Sequence, residues 1–561
     1  VRFRSGYFYV AAWLGLTFLS LAALYRDWGH PLTGQSDQCM YLSMAELLLQ
    51  GRIPYVQCFD NNPPLIIYLN VIPVVVAKYF ALPLTLAFNL SVTILAIFSS
   101  TLSLAALWLS RRQVVIFVSL SLSVLLFASF NLSLALDYGQ REHLFLLFYF
   151  PFFVWRLQRA MEASAKESLF SKIFAALLGF GAALGLALKP YFVLMAAFVE
   201  MILLAVSFFN RDGDFKGRMA SLLKPECLAL YFGLGLYALH FLFLPAAVRN
   251  GLFQFVLPIY QAGYDYYTNS FLFNLTSFWR TDFLFLAFAS LLTLYILPRA
   301  RVATAIVSIA FAALAWIATA VYFYAGQSWQ YHLLPIRLAS MLLFSSGLVS
   351  LFSLWLAKTK NETKWEGLFL ALAAVFALAF PAARACQVYL QGQEEEATLE
   401  KFDLAFIGLK GLCFEHEISP AVKTITEHAT ASDTVLFLST AMAPGYPAMV
   451  QSGRKPGSRF IHAMPLVVAD YVVEVKKPQD LKCFQDMRAQ IIDWYRQDID
   501  KYKPVLIFVQ KQTMSELVDR LGLQSFILQD YVALPEVGDA YGMTVYKRNP
   551  AKDSAKGVKS P

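Results

Sequence analysis

The chain has 561 residues, of which 58% are hydrophobic, 16% aromatic and only 15% charged, with a formal net charge of +8. A soluble globular domain carries about 25% charged residues, so an ordinary soluble enzyme is excluded and a polytopic α-helical membrane protein is what remains. A nucleic-acid binder is a poor fit. The Lys and Arg residues are dispersed between apolar runs, at Arg2/Arg4, Arg111/Arg112, 156–172, 211–224, Arg299/Arg301 and 358–364, and form no single basic face.

The apolar runs come first in chain order at 14–24, 80–110, 113–130 and 302–324, and the last three approach or exceed the ~20 residues a bilayer span requires. The first run follows VRFRSGYFYV without a small-residue cleavage site, and Arg26-Asp27-Trp28 comes directly after, so it reads as a retained first span. Cytoplasmic loops of inner-membrane proteins are enriched in Lys and Arg, which places the basic loops inside. Residues 25–62 then form a long outer loop, and 249–282, rich in Tyr and Phe, form a second. Spans are expected near 142–156, 173–188, 191–209, 227–244, 283–297, 302–324, 333–356 and 367–380, for roughly 11–13 in all. Between Pro63 and Asp137 lie three apolar stretches, 65–80, 82–110 and 113–130. Three crossings would put Asp137 inside, whereas the basic loop after it requires outside, so one stretch is re-entrant or incomplete.

After Ala385 the composition changes. QGQEEEATLEKFD is acidic and polar, and the short β-like runs DTVLFLST, KPVLIFVQ and YGMTVYKR then alternate with helix-compatible stretches such as 479–502. The expected layout is a membrane module over 1–385, a small α/β domain outside over 386–550, and a disordered Lys-rich tail over 551–561. Cys39 and Cys58 share the outer loop, and Cys413 and Cys483 the outer domain. In an oxidising compartment two disulfides are balanced evenly against four idle thiols. No Cys/His spacing suggests zinc.

The outer loop holds the most informative stretch. From Met40, the residues Met40, Tyr41, Met44, Leu47 and Leu48 share one helical face. A helix this short cannot span and is expected to lie at the outer interface, with Gly51 ending it. Asp37 stands at its N-terminus, where a carboxylate can simply cap the helix; Ser36 can cap instead and release Asp37 for chemistry. FDNNPPL then places Asp60, Asn61 and Asn62 before Pro63 and Pro64, which suit a first helical turn. Further on, ALDYGQREHLF sets Asp137, Arg141, Glu142 and His143 between apolar runs, LALKPYF does so for Lys189, and AGQSWQYHLLPIRLAS for His332 and Arg337. Charges beside or within spans are costly and rarely idle. Each alone suits a paired structural group, but Asp37, Asp137, Lys189, His332 and Arg337 all fall towards one side, which favours an active site.

An acid opening the first outer loop, a short helix, then GRIPYVQCFDNNPPL, a second acid at Asp137 and the lysine of LALKPYF resemble the GT-C superfamily of membrane glycosyltransferases. Within it the pattern is similar to lipid A aminoarabinose transferases and protein O-mannosyltransferases, and YHLLP resembles their late segment near the carrier phosphate. The aminoarabinose transferases carry a lysine just before the double proline, where this chain has Asn62.

The resemblance implies a polyprenyl-phosphate-linked sugar donor of undecaprenyl type, used on the periplasmic face of a bacterial inner membrane, and a glycan, lipid or protein acceptor. It makes Asp37 the base or the group that orients the acceptor, and Asp137 its assistant or a cation holder, with Lys189, His332, Arg337 and Arg141 on the donor phosphate. Tyr41, Tyr55, Asp60, Asn62, Tyr331 and Tyr264 would line the substrate, although the aromatic run around Tyr264 reads better as an interfacial belt. A lipid phosphate leaves as a weak base and needs charge stabilisation more than a general acid. Two acids could hold a divalent cation, as some GT-C enzymes do, but no dense carboxylate cluster is present and no metal is expected. The competing readings are a transporter or flippase for a lipid-linked sugar, an O-antigen ligase-like enzyme, and a non-catalytic assembly component. Transporters place their ionisable groups near the midplane between repeated halves, and no repeat is visible here.

Overall fold

A computed structural model describes residues 5–29, 36–109, 114–134, 137–161, 168–207, 219–300, 302–356, 419–479, 481–535 and 542–549. The expected span at 367–380, the acidic linker, Cys386, Cys413 and the tail lie outside the described residues. The chain divides into two compact units, one of residues 1–29, 89–242 and 268–391, the other of residues 30–88, 243–267 and 392–561.

The first unit is helical. It holds α1 (Ser5–Gly29), most of α4 (Leu84–Leu109), α5 (Val114–Ser133), α6 (Arg141–Met161), α7 (Leu169–Leu186), α8 (Pro190–Ser207), α9 (Pro225–Phe243), α10 (Leu284–Ile296), α11 (Val302–Ala325) and α12 (Leu334–Leu356). Six helices among the described residues are long and apolar enough to cross a bilayer, which defines a multi-pass membrane protein. At the centre, α6 packs against α7, α8, α11 and α12. Aromatic rings fill its contacts: Phe145 stacks on Phe192 of α8 with centroids 4.2 Å apart, and Phe150 on Phe127 of α5 at 4.1 Å. Pro151 sits inside α6, where neighbouring helices can satisfy the freed backbone groups.

The three stretches between Pro63 and Asp137 are all helical, but unequal. α3 (Leu65–Phe80) has 16 residues and an internal Pro73, whereas α4 has 26 residues and α5 has 20. Sixteen residues extend only about 24 Å, short of the ~30 Å hydrocarbon core. If α3 does not cross, the parity demanded by the basic loops is restored.

The second unit gathers α2 (Ser36–Leu49), α3 and a five-stranded mixed sheet. The strand order is β2-β1-β3-β5-β4, with β1 (Thr434–Leu438) parallel to β2 (Lys455–Pro456) and to β3 (Leu506–Gln510), and β5 (Met543–Arg548) antiparallel to β3 and to β4 (Tyr531–Ala533). The central strand β3 reads LIFVQ, an apolar run suited to burial on both faces, and Phe508 stacks on Phe437 of β1 at 4.4 Å. The helix expected near 479–502 is α14 (Leu481–Tyr502).

α2 forms where the periodicity places it, and Gly51 ends it at φ 85° with Arg52 N–H donating to the Leu47 carbonyl. Its surroundings differ from the expectation of a helix lying at an interface. Gln38 and Ser43, which lie off the apolar face, are buried along with it, because α3 packs on α2 and α13 (Gly445–Ser452) does so as well. Cys39 and Cys58 are buried thiols and form no disulfide; Cys483 is an exposed thiol. Burial pushes the Cys58 thiol up to about 12, so it stays protonated at neutral pH.

Candidate active site

The expected site residues fall into two groups, one in each unit. In the helical unit, Glu142 is the hub. It lies in the first turn of α6, Lys189 immediately precedes α8, and His332 lies just before α12. Glu142 Oε1 accepts from Lys189 Nζ at 2.5 Å and from the Tyr191 hydroxyl at 3.0 Å, with His332 Nε2 at 3.4 Å. Lys189 Nζ is 3.3 Å from His332 Nε2 and faces the rings of Tyr191 and Tyr331 at 5.2 and 5.4 Å. All three charged or ionisable side chains are buried. Three helix N-termini therefore meet around one lysine. The second Glu142 oxygen, Oε2, has no hydrogen-bond partner among the described residues.

Arg337, in the first turn of α12, makes a two-pronged ion pair with Asp282 at 2.9 and 3.3 Å and donates to Gln330 Oε1 at 2.7 Å. Arg141 opens α6, and its charge acts on Glu142 and His332. Asp137 is half-buried in the turn before α6. Desolvation pushes its carboxyl up to about 6, Arg337 opposing and Glu142 reinforcing the shift.

That turn is held from behind by a network that reaches back to α1 and α4. Tyr138 exchanges a short hydrogen bond with Thr93, and Thr93 donates to the fully buried Asp27. Arg26 pairs with Asp27 at 2.7 Å and lies over the Tyr138 ring at 4.6 Å. Gly139, at φ 78°, donates its N–H to His143 Nδ1 at 2.9 Å, and His143 Nε2 then donates to Asn131 Oδ1 at 2.9 Å. Both imidazole nitrogens of His143 are thus occupied in holding the turn.

A second ionic cluster lies where the basic segment 156–172 begins. Arg156 is buried and pairs with Glu200 at 2.8 Å and Glu226 at 3.2 Å, and Arg159 joins Glu226 at 3.2 Å. It lies fourteen residues beyond Glu142 on α6, about 21 Å along the axis.

In the other unit, Asp37 and Tyr41 are buried on α2, and Tyr55, Asp60 and Asn62 are buried in the segment leading to α3. Asp60 Oδ2 accepts from Asn62 Nδ2 at 2.9 Å and from its backbone N–H at 3.2 Å, while Tyr55 donates its hydroxyl to the Asn62 carbonyl. Tyr264 is 42% exposed in a short 3₁₀ turn, as a belt residue would be. Among the described residues no group of three or more His, Cys, Asp or Glu is arranged to hold a metal ion.

Sequence reasoning passed over Glu142 as a site residue although the rule applied to Lys189, that an ionisable group inside an apolar run has work to do, covered it equally. Asp282 and His462 carried no such signal. Their partners are 55 and 402 positions away in the chain.

No protein-family model and no curated protein matches the chain. The helical bundle with its small mixed sheet is nevertheless the GT-C fold. It is similar to the crystal structure of ArnT from Cupriavidus metallidurans bound to undecaprenyl phosphate, with a TM-score of 0.51 over 96% of this chain and 98% of that one, at 12% identity. A fainter likeness, at TM-score 0.44 and 11% identity over 96% of this chain and 74% of the other, is to the oligosaccharyltransferase AglB from Archaeoglobus fulgidus.

Proposed function

We propose that the protein is an inverting membrane glycosyltransferase that moves a sugar from a polyprenyl-phosphate donor to an acceptor on the periplasmic face of a bacterial inner membrane. The observation that carries this reading is the convergence of three helix N-termini on Lys189, in a fold shared with a structure that holds undecaprenyl phosphate. Helix N-termini present N–H groups and positive dipole ends to anions. Lys189 has further Nζ hydrogens beyond the one given to Glu142, and Arg337 offers a planar fork. Both cations are balanced by carboxylates, Glu142 and Asp282, which keeps the site from being an uncompensated buried charge.

In the reaction, Asp37 takes the proton of the acceptor hydroxyl. That oxygen bonds to the anomeric carbon from the face opposite the phosphate, and the carbon–oxygen bond to the lipid phosphate breaks. The phosphate leaves with the bonding pair, stabilised by Lys189 and Arg337, with Arg141 adding to the field. Asp137, whose carboxyl burial pushes up to about 6, is suited to hold or release a proton beside them. The enrichment of Lys and Arg in loops read as cytoplasmic supports a periplasmic position for the C-terminal sheet.

The test is transfer in proteoliposomes supplied with extracted polyprenyl-phosphate sugars, comparing wild type with Asp37→Asn, which keeps the shape but removes the basicity. Losing a general base costs about 10²–10⁴-fold. A loss of at least a hundredfold, with folding and donor binding intact, supports the reading. Equal activity of the two proteins removes Asp37 as the base. A wild type that moves the lipid-linked sugar across the membrane and transfers nothing makes the protein a transporter.

A further inference from the structure

The sheet-bearing segment does more than append a domain, and one place where it reaches the candidate site is Asp60. This carboxylate is 1% exposed. Its Oδ2 closes the turn onto Asn62, but Oδ1 has no hydrogen-bond partner among the described residues. The group nearest in charge is His462, itself 3% exposed, with Nε2 3.7 Å from Asp60 Oδ1. That gap is too long for a direct hydrogen bond and within reach of an ion pair. A buried carboxylate without a counter-charge is costly, and no other described ion pair serves Asp60.

His462 is held in place by its neighbours. Phe59 N–H donates to the Arg459 carbonyl at 2.8 Å, and Phe59 bridges Phe460. Arg459 is locked in turn by Asp498 at 2.9 Å and lies over Trp494 at 5.1 Å, and Ser458 also donates to Asp498 at 3.0 Å. On the far side of the turn, Tyr55 takes a left-handed backbone at φ 62°, which a bulky residue keeps only when its surroundings impose it. Gly251 approaches it closely: a Cβ there would lie 2.1 Å from the Tyr55 carbonyl oxygen.

We propose that His462 is a positioning residue that fixes Asp60, and through it the Asn61–Asn62 turn, for recognition of the acceptor. This rests on the glycosyltransferase reading. The acceptor is assigned because the buried charge of the Asn61–Asn62 turn is the Asp60 carboxylate, which repels a phosphate and suits a hydroxyl-bearing neutral group. The phosphate-seeking cations Lys189, Arg337 and Arg141 all belong to the helical unit.

The experiment compares the full-length protein with His462→Gln, Asp60→Asn and the double variant, reading acceptor KM, donor KM and hydrogen exchange of residues 52–64. A small misplacement of a positioned group costs up to about 10²-fold. His462→Gln is expected to raise acceptor KM at least tenfold while leaving donor KM unchanged, and to increase exchange across 52–64. The double variant, in which two amides face each other, is expected to recover most of both. Equal exchange in wild type and His462→Gln overturns the clamp whether or not any transfer is seen. A looser turn with both KM values unchanged overturns the link to the acceptor. A wild type without transfer defeats the glycosyltransferase reading, and the exchange data still decide the clamp.

Discussion

Replacing Lys189 by Met removes the cation that donates to the buried Glu142 carboxylate. Breaking a buried pair by removing one partner costs about 3–5 kcal/mol, so Lys189→Met is expected to lower the melting temperature markedly in detergent. Lys189→Met combined with Glu142→Gln should regain most of that stability and none of the transfer activity, since the phosphate cation is gone. A double variant as unstable as the single one would show that the lysine stabilises through packing. Asp137 offers a pH signature. Its folded value near 6 stands above the ordinary 3.8. A carboxyl raised in the folded chain contributes stability that is complete below 3.8 and lost as pH climbs through about 6. The melting temperature of wild type is therefore expected to fall between pH 4 and 6.5 relative to Asp137→Asn, and parallel curves for the two proteins would remove the buried acid.

Among elements, α6 is the one on which the helical unit depends, because it carries Glu142 at one end and Arg156 at the other. Its neighbours approach closely at the second cluster: a Cβ on Gly179 of α7 would lie 1.8 Å from the Glu226 carbonyl oxygen of α9. Gly179→Ala must push these helices apart, and overpacking of this kind costs about 1–3 kcal/mol. Gly181→Ala, which meets nothing within 4 Å, is expected to be neutral or slightly stabilising. Thermal unfolding of the two variants checks the contrast, and equal melting points would show that α7 and α9 tolerate separation. At this scale much was legible in the sequence. The apolar runs became helices, the Met40–Leu48 periodicity became α2 with Gly51 at its end, and VLFL, LIFV and MTVY became β1, β3 and β5. β2 and β4, at two and three residues, carry too little pattern to be read. The partners of Arg156 stayed hidden because nothing near it in sequence announces Glu200 or Glu226.

At the scale of the whole molecule, the unit that holds Asp37 is assembled from three distant stretches of chain. Local composition shows the β-strands and the acidic linker but carries no sign that residues 30–88 belong beside them. Asp37, Asp60 and Lys189 could be suspected as ionisable residues in an apolar setting, whereas Asp282 and His462 emerge only when the chain is folded. This arrangement also sets a clock on synthesis. The Phe59 N–H meets its acceptor, the Arg459 carbonyl, only after about 400 further residues have been made, which at about 5–20 residues per second takes roughly 20–80 seconds. Throughout that interval Phe59, Cys58 and the α2 face later covered by α13 have left the ribosome without their cover, and the nascent loop must be shielded by lipid or chaperone until the last third of the chain arrives.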